Sequence, residues 1–360
     1  MCNLWDMTIE KDVVLFLLKH DFIKLATCLL QLPDLEPRFL EIIVGILHNM
    51  CCVEELRKVL CDMPETTSCL MDTLSSNDSL TLVQAVRLLN TVAWDVVHQV
   101  EERDPSPHWL VRAVDDLQLS KRLAYILLSS TRPELLCCAL DLMNTLCVHA
   151  PSFSDKDFSR YFANEDIAFG LLAAWRQLLR GGGAAHADVP AKALRKAGDQ
   201  WAAVLSAFSG HEQGKAVLCL NAEKITSIIN TTLQLSEDNE DMLRDSVAVL
   251  EAIIPSGSDI PTILPKLLKI SHELDRKPKN DDAMSEDSEN LTLREALENY
   301  FESLMIHVGS KSTMESNLSQ CDENLKQLFW TIIERRDPEL LQERVEPIVV
   351  GDVECNQHSI

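Results

Sequence analysis

Several things are scarce or missing in this chain, and each absence narrows what it can be. Glycine is scarce, at 11 of 360 residues, and aromatic residues make up only 5%. A glycine costs about 1 kcal/mol inside a helix, so a leucine-rich chain with so few of them favours helices. The shortage of Tyr, Phe and Trp argues against a β-sandwich. No stretch keeps up the two-residue alternation of a strand, and no Asn-Gly or Asp-Gly pair marks a hairpin. Positive charge is short as well. The formal net charge is −23, and the longest basic run is Arg276-Lys277-Pro278-Lys279. Such a chain repels free duplex DNA and anionic membranes, which bind through Lys and Arg. Its field favours basic protein partners instead.

Long apolar runs are absent too. The longest, such as Val13–Leu18, fall far short of the roughly 20 residues that cross a bilayer. No basic segment followed by an apolar stretch and a small-residue cleavage site opens the chain, so an intracellular, soluble protein is expected. The twelve cysteines include no C-x-x-C pair, and several, such as Cys51, Cys137 and Cys147, lie in apolar helical runs. They read as reduced core residues rather than a disulfide frame or a zinc site.

Catalytic signatures are equally lacking. There is no G-x-S-x-G, no phosphate-binding loop and no dinucleotide-binding glycine pattern. His211-Glu212 and His272-Glu273 begin like H-E-x-x-H but lack the second histidine. No enzymatic activity, cofactor, metal or small-molecule substrate is therefore expected.

What is present is helical periodicity. Val13, Val14, Leu17 and Leu18, then Phe39, Ile42, Ile43, Ile46, Leu47 and Met50, follow the i, i+3, i+4, i+7 spacing of a buried helix face. Capping boxes are predicted at Thr131–Glu134 and Thr292–Glu295, and Pro37 opens a helix after Glu36. Breaks are predicted at Glu101–His108, at the polar loop Pro151–Asp157, and at flexible insertions near 181–190 and 277–290. Within the second insertion, Ser285 and Ser288 stand in an acidic run that suits an acidophilic kinase. The tail 347–360 is expected to fray.

The helices repeat. VGILHNM, AVRLLNTVA and ALDLMNTLC align on Asn49, Asn90 and Asn144, and SVAVLEAII follows with Glu251. AAVLSAFSG, at 202–210, has the same shape without the asparagine. The spacing suits repeats of about 40–47 residues. Small or β-branched residues precede each polar position, at Val44-Gly45, Ala85-Val86 and Ala139, where neighbouring helices would come close. The expected fold is all-α, an armadillo/HEAT-like helical-repeat solenoid, forming a single domain over 1–346.

Asn49, Asn90 and Asn144 are also the one constellation with a candidate binding role. An amide offers both a donor and an acceptor and so matches a peptide group. Against that, the positions four residues earlier hold Gly45, Val86 and Leu140, where peptide-binding armadillo proteins place Trp. The competing expectation is that each Asn ties down backbone groups at a helix end, with Trp94 packed one turn further along.

Leu4-Trp5-Asp6-Met7, Asp12-Val13, Leu15-Phe16-Leu17, Val44-Gly45-Ile46-Leu47, Asn49-Met50 and Cys52 resemble the first conserved block of the serum-amyloid-A-like protein family. This resemblance covers roughly the first 55 residues. It implies an armadillo-type fold and a nuclear protein linked to cell proliferation, without enzymatic chemistry. Members of that family carry an acidic extension before this motif, so the resemblance implies either a shortened form or an incomplete gene model here. Two functions follow as expectations: a nuclear scaffold that binds proteins, or a factor acting within a ribonucleoprotein assembly.

Overall fold

The computed structural model describes residues 2–98, 107–115, 117–148, 155–181, 190–233, 239–256, 260–276 and 292–341. The segments expected to be flexible at 182–189 and 277–290, the break at 101–106 and the tail lie outside the described residues. Among the described residues there are twenty α-helices and no strand. The Cα positions cluster into two compact units, Met1–Asp259 and Ile260–Ile360.

In the first unit a short α1 (Cys2–Met7) precedes five groups of three helices. They are α2 (Lys11–Lys19), α3 (Phe22–Leu30) and α4 (Pro37–Cys51); α5 (Glu54–Cys61), α6 (Pro64–Thr73) and α7 (Ser79–His98); and α8 (Pro107–Val114), α9 (Leu119–Ser129) and α10 (Pro133–Cys147). Then come α11 (Asp155–Tyr161), α12 (Glu165–Gly181) and α13 (Ala191–Ser209), followed by α14 (Glu212–Leu220), α15 (Ala222–Thr232) and α16 (Glu240–Ile253). The third helices stack in series: α4 packs on α7, α7 on α10, α10 on α13 and α13 on α16, with α1 against α4. Second helices form another layer, in which α3 meets α6, α9 meets α12 and α12 meets α15. Each repeat buries its apolar face against the next, as an armadillo-like array requires. The five segments aligned by sequence fall on α4, α7, α10, α13 and α16, one per rung.

Local chemistry explains the helix starts. The Glu36 carboxylate accepts from the Phe39 amide at 3.1 Å, with Pro37 in the first turn of α4. At α10 the expected capping box at Thr131–Glu134 does not form. Arg132 is the cap residue, with extended backbone, and Pro133 takes the first helical position. Had Thr131 capped the helix, Arg132 would be helical just before a proline, which the ring disfavours. Glu134 instead pairs with Arg87 and Arg132. The end of the predicted loop Pro151–Asp157 is also different, since Asp155–Asp157 opens α11.

The second unit contains α17 (Ile260–Arg276), α18 (Leu293–Val308), α19 (Lys311–Asn317) and α20 (Glu323–Arg336). Its α18 begins in the expected capping box: Thr292 caps the Glu295 amide and the Glu295 side chain returns to the Thr292 amide. The helix ends at Gly309, whose φ of 71° suits glycine. Tyr300, Phe301 and Phe329 fill this unit's core.

Candidate partner-binding face

The third-helix ladder carries the candidate residues. Asn49 lies near the end of α4. Its amide donates to the Trp5 carbonyl and to the Thr8 hydroxyl, both at 3.2 Å. It thereby ties the C-terminal end of α1 to α4, at a carbonyl that also accepts from the Thr8 amide and hydroxyl. The Trp5 ring lies over Gly45: a Cβ there would stand 2.5 Å from Trp5 Cζ2. Arg38 stacks over the same ring at 5.8 Å. The Leu4–Met7 and Val44–Asn49 motifs therefore form one contact, α1 seated on α4.

Asn90 is placed differently from the helix end expected of it. Helix α7 runs on to His98, and the amide is used in mid-helix. Its Nδ2 donates to Asp141 Oδ2 at 3.0 Å, and the Thr145 hydroxyl donates to Asn90 Oδ1 at 2.7 Å. Both halves of the amide thus tie α7 to α10. Asn144 also lies on α10, and its backbone carbonyl accepts from the Val148 amide at 2.9 Å. Trp94 corrects the packing expectation. It is 47% exposed, because α7 outruns the ends of α4 and α10.

Asp141 is the residue that the alignment missed. Besides Asn90, it accepts from Gln200 and pairs with Lys196 at 2.9 Å, both on α13. One carboxylate therefore joins three successive rungs. The available signal was a charge three residues before the aligned Asn144, between the apolar residues Leu140 and Leu142 in the middle of the helix. Further along, Asn239 caps α16 and donates to Asp199 on α13. On the other side, Arg87 on α7 pairs with Glu134 on α10 at 3.1 Å.

Charge along the ladder is uneven. Burial raises the Asp245 carboxyl to about 6; Asp241 and Asp199 push it further and Arg244 opposes them. Burial raises Asp199 as well. The far rungs thus hold a crowded acidic group. Near the start, burial lowers His48 to about 4, with the Arg87 charge adding to the effect. Burial also pushes the thiols of Cys51 and Cys147 upward, and that of Cys137 to about 11, so these side chains stay as thiols at neutral pH.

Neither histidine motif gathers ligands. His211 stacks on Phe158 at 4.3 Å, and among the described residues no cluster of His, Cys, Asp and Glu could hold a metal ion. Among them, too, no helix is long and apolar enough to cross a membrane.

The zebrafish (Danio rerio) protein saal1 is 33% identical over 148 residues, which are 41% of this chain and 29% of that protein. Mouse (Mus musculus) SAAL1 is 29% identical over 136 residues, 38% of this chain and 27% of that protein. The chain is similar to the SAAL1 proteins. It spans less than a third of the length of either. No family model matches it. Among solved structures, an engineered protein superposes with a TM-score of 0.54 at 14% identity, covering 94% of this chain and 71% of that one. At that identity the likeness concerns the fold alone.

Proposed function

We propose that this chain is a non-enzymatic protein-binding scaffold that works in the nucleus in support of cell proliferation, with its third-helix ladder as the binding face. The observation that carries the reading is the continuous series α4–α7–α10–α13–α16, whose polar side chains repeat rung by rung along one face. Stacked repeats give an extended surface without a deep cleft, which suits a macromolecule better than a small substrate. Similarity to the SAAL1 proteins supports the same reading. The acidic crowding of Asp199, Asp241 and Asp245 favours a basic partner segment. In this reading Asn49 and Asn90 shape the face by holding neighbouring helices, and Asn144 lies beside them on α10.

The test is capture of partners by the tagged chain from fractionated cells, with and without ribonuclease. Recovery from the nuclear fraction of protein partners that resist ribonuclease, and are lost when Asp241 and Asp245 are both changed to Lys, is the expected result. Partners released by ribonuclease would favour a ribonucleoprotein role instead. Recovery of a turnover activity from the purified chain would refute the reading.

A further inference from the structure

The second-helix layer carries a surface that the ladder does not use. On α9, Lys121, Ala124, Tyr125 and Leu128 follow an i, i+3, i+4, i+7 stripe, the signature of a helix face meant to be covered. Yet Tyr125 is 70% exposed and Leu128 59%, and Phe169 on α12 is open beside them. Together they line a groove of about 500 Å³ spanning α9, α12 and α15. Its floor is aliphatic, with Leu172 and Ile228 buried at the base and the small residues Ala124 and Ala173 leaving room for close approach.

The rim reverses the charge of the whole protein. The chain holds 56 acidic residues against 33 basic ones. Around this groove stand Lys121, Arg176 and Lys224 against the single carboxylate of Asp166. Lys224 lies over the Phe169 ring at 4.6 Å. Lys121 and Arg176 form no ion pair among the described residues. An apolar trough between cations, on a strongly acidic protein, is complementary to one kind of guest.

We infer that this groove docks an amphipathic helix of a partner protein whose apolar stripe is flanked by carboxylates. Aliphatic or aromatic anchors of the guest fill the trough over Leu172 and Ile228, and its Glu or Asp residues meet Lys121, Arg176 and Lys224. A helix fits better than a single-stranded nucleic acid. Most of the floor is aliphatic rather than a row of stacking rings, and Asp166 would repel a phosphate chain. The inference is independent of the ladder face, which lies on other helices.

The test uses two fluorescein-labelled helical peptides with one Leu/Phe stripe, flanked by Glu in one and by Lys in the other, titrated with the whole chain. The Glu peptide is expected to bind, more weakly as salt rises, and the Lys peptide is not. Leu128→Ala should weaken binding about tenfold or more, as loss of a central anchor does. The double charge reversal Lys121→Glu with Lys224→Glu should abolish binding of the Glu peptide and admit the Lys peptide. All three positions are exposed, and circular dichroism of each variant checks that it folds as the parent does. No binding of the Glu peptide, equal binding of both peptides, or binding indifferent to the charge reversal overturns the inference. So does a labelled oligonucleotide that competes for the groove, or a self-association of the chain that Leu128→Ala removes. Partner capture in cells that survives the charge reversal but fails with the Asp241 and Asp245 changes would sink the groove and leave the ladder reading standing.

Discussion

Replacing Gly45 by alanine tests the seating of α1 on α4 with a change of one methyl group. Inside a helix such a change normally stabilises by about 0.5–1 kcal/mol, because glycine gives up more freedom on folding. Here the new Cβ would lie 2.5 Å from Trp5 Cζ2, 2.6 Å from Cε2 and 3.0 Å from Nε1. Ordinary carbon contacts need about 3.5–4.0 Å, so the ring must retreat by about 1 Å. Trp5 cannot retreat alone, since its carbonyl accepts from Asn49 and its ring is held beneath Arg38. Overpacking of this kind costs about 1–3 kcal/mol. After the propensity gain, Gly45→Ala should lose about 1 kcal/mol. In a Trp5→Ala background the obstacle is gone, and the same change should gain about 0.5–1 kcal/mol. The sign therefore reverses, with a coupling of roughly 2 kcal/mol between the two positions. Urea denaturation of the four proteins measures the cycle. Hydrogen exchange over residues 2–8 follows α1 directly if it opens without the rest. The same effect of Gly45→Ala with and without Trp5 would refute the contact.

Three further outcomes follow from the same structure. Asn90→Ala removes a donor and an acceptor between α7 and α10 and should cost about 1–3 kcal/mol in a denaturant titration, whereas Trp94→Ala, at a half-exposed site, should cost under about 1 kcal/mol; the reverse order would contradict the placement of both. Titration should act in opposite senses at two sites. Asp245 has a folded value near 6 against 3.8 unfolded, so its contribution is fully present below pH 3.8 and lost as pH rises through 6. Asp245→Asn should therefore stabilise at pH 7, by about 3 kcal/mol at most, and not at pH 3.5. His48 has a folded value near 4 against 6.5, so its contribution is present above pH 6.5 and lost as pH falls to 4. His48→Gln should flatten that part of the stability profile, and an unchanged slope would argue against burial of a neutral imidazole. Finally, a Cβ on Gly214 would stand 2.1 Å from the Phe208 carbonyl, a backbone atom that cannot swing aside. Gly214→Ala should cost about 2 kcal/mol or more, and a neutral melting result would show α14 entering at another angle.

Much of the fold was legible because stacked repeats impose the same demand at the same place. Each third helix must show its neighbour a close-packing face, so small residues and a polar tie recur at Gly45 and Asn49, and at Ala85 and Asn90. Even the degenerate copies, around 202–210 and at Glu251, kept enough of that pattern to fall on α13 and α16. Periodicity could not supply helix length. Extending the stripe by one turn made Trp94 look buried, but α7 has twenty residues and each neighbour fifteen, so position 94 lies beyond their ends. Pairing across rungs was hidden too. Asp141 looks like one more charge on a helix until α13 brings Gln200 and Lys196 to it. The basic groove was invisible for a different reason. A net charge of −23 averages over the chain, while Lys121, Arg176 and Lys224 come from three different repeats and meet only in space.

The polar rungs also bear on why such an array keeps one register. Apolar stripes of Leu, Ile, Val and Ala on parallel helices are nearly alike from turn to turn, so sliding one helix by a turn would lose little burial. A half-buried amide or carboxylate is less forgiving. Moved by a turn, Asn90 would leave Asp141 and Thr145, and each orphaned group would cost about 1–3 kcal/mol. Asp141 enforces the register in both directions, because Asn90 of α7 must meet its Oδ2 while Gln200 and Lys196 of α13 meet its Oδ1. At the start of the array Asn49 and the Trp5–Gly45 fit do this for α1, and near the far end Asn239 and Asp199 do it for α16. The apolar faces thus supply the cohesion of the stack, and the polar rungs select one alignment among several of similar burial. The same side chains give the face its spacing, so a partner that reads the ladder reads the register by which it folds.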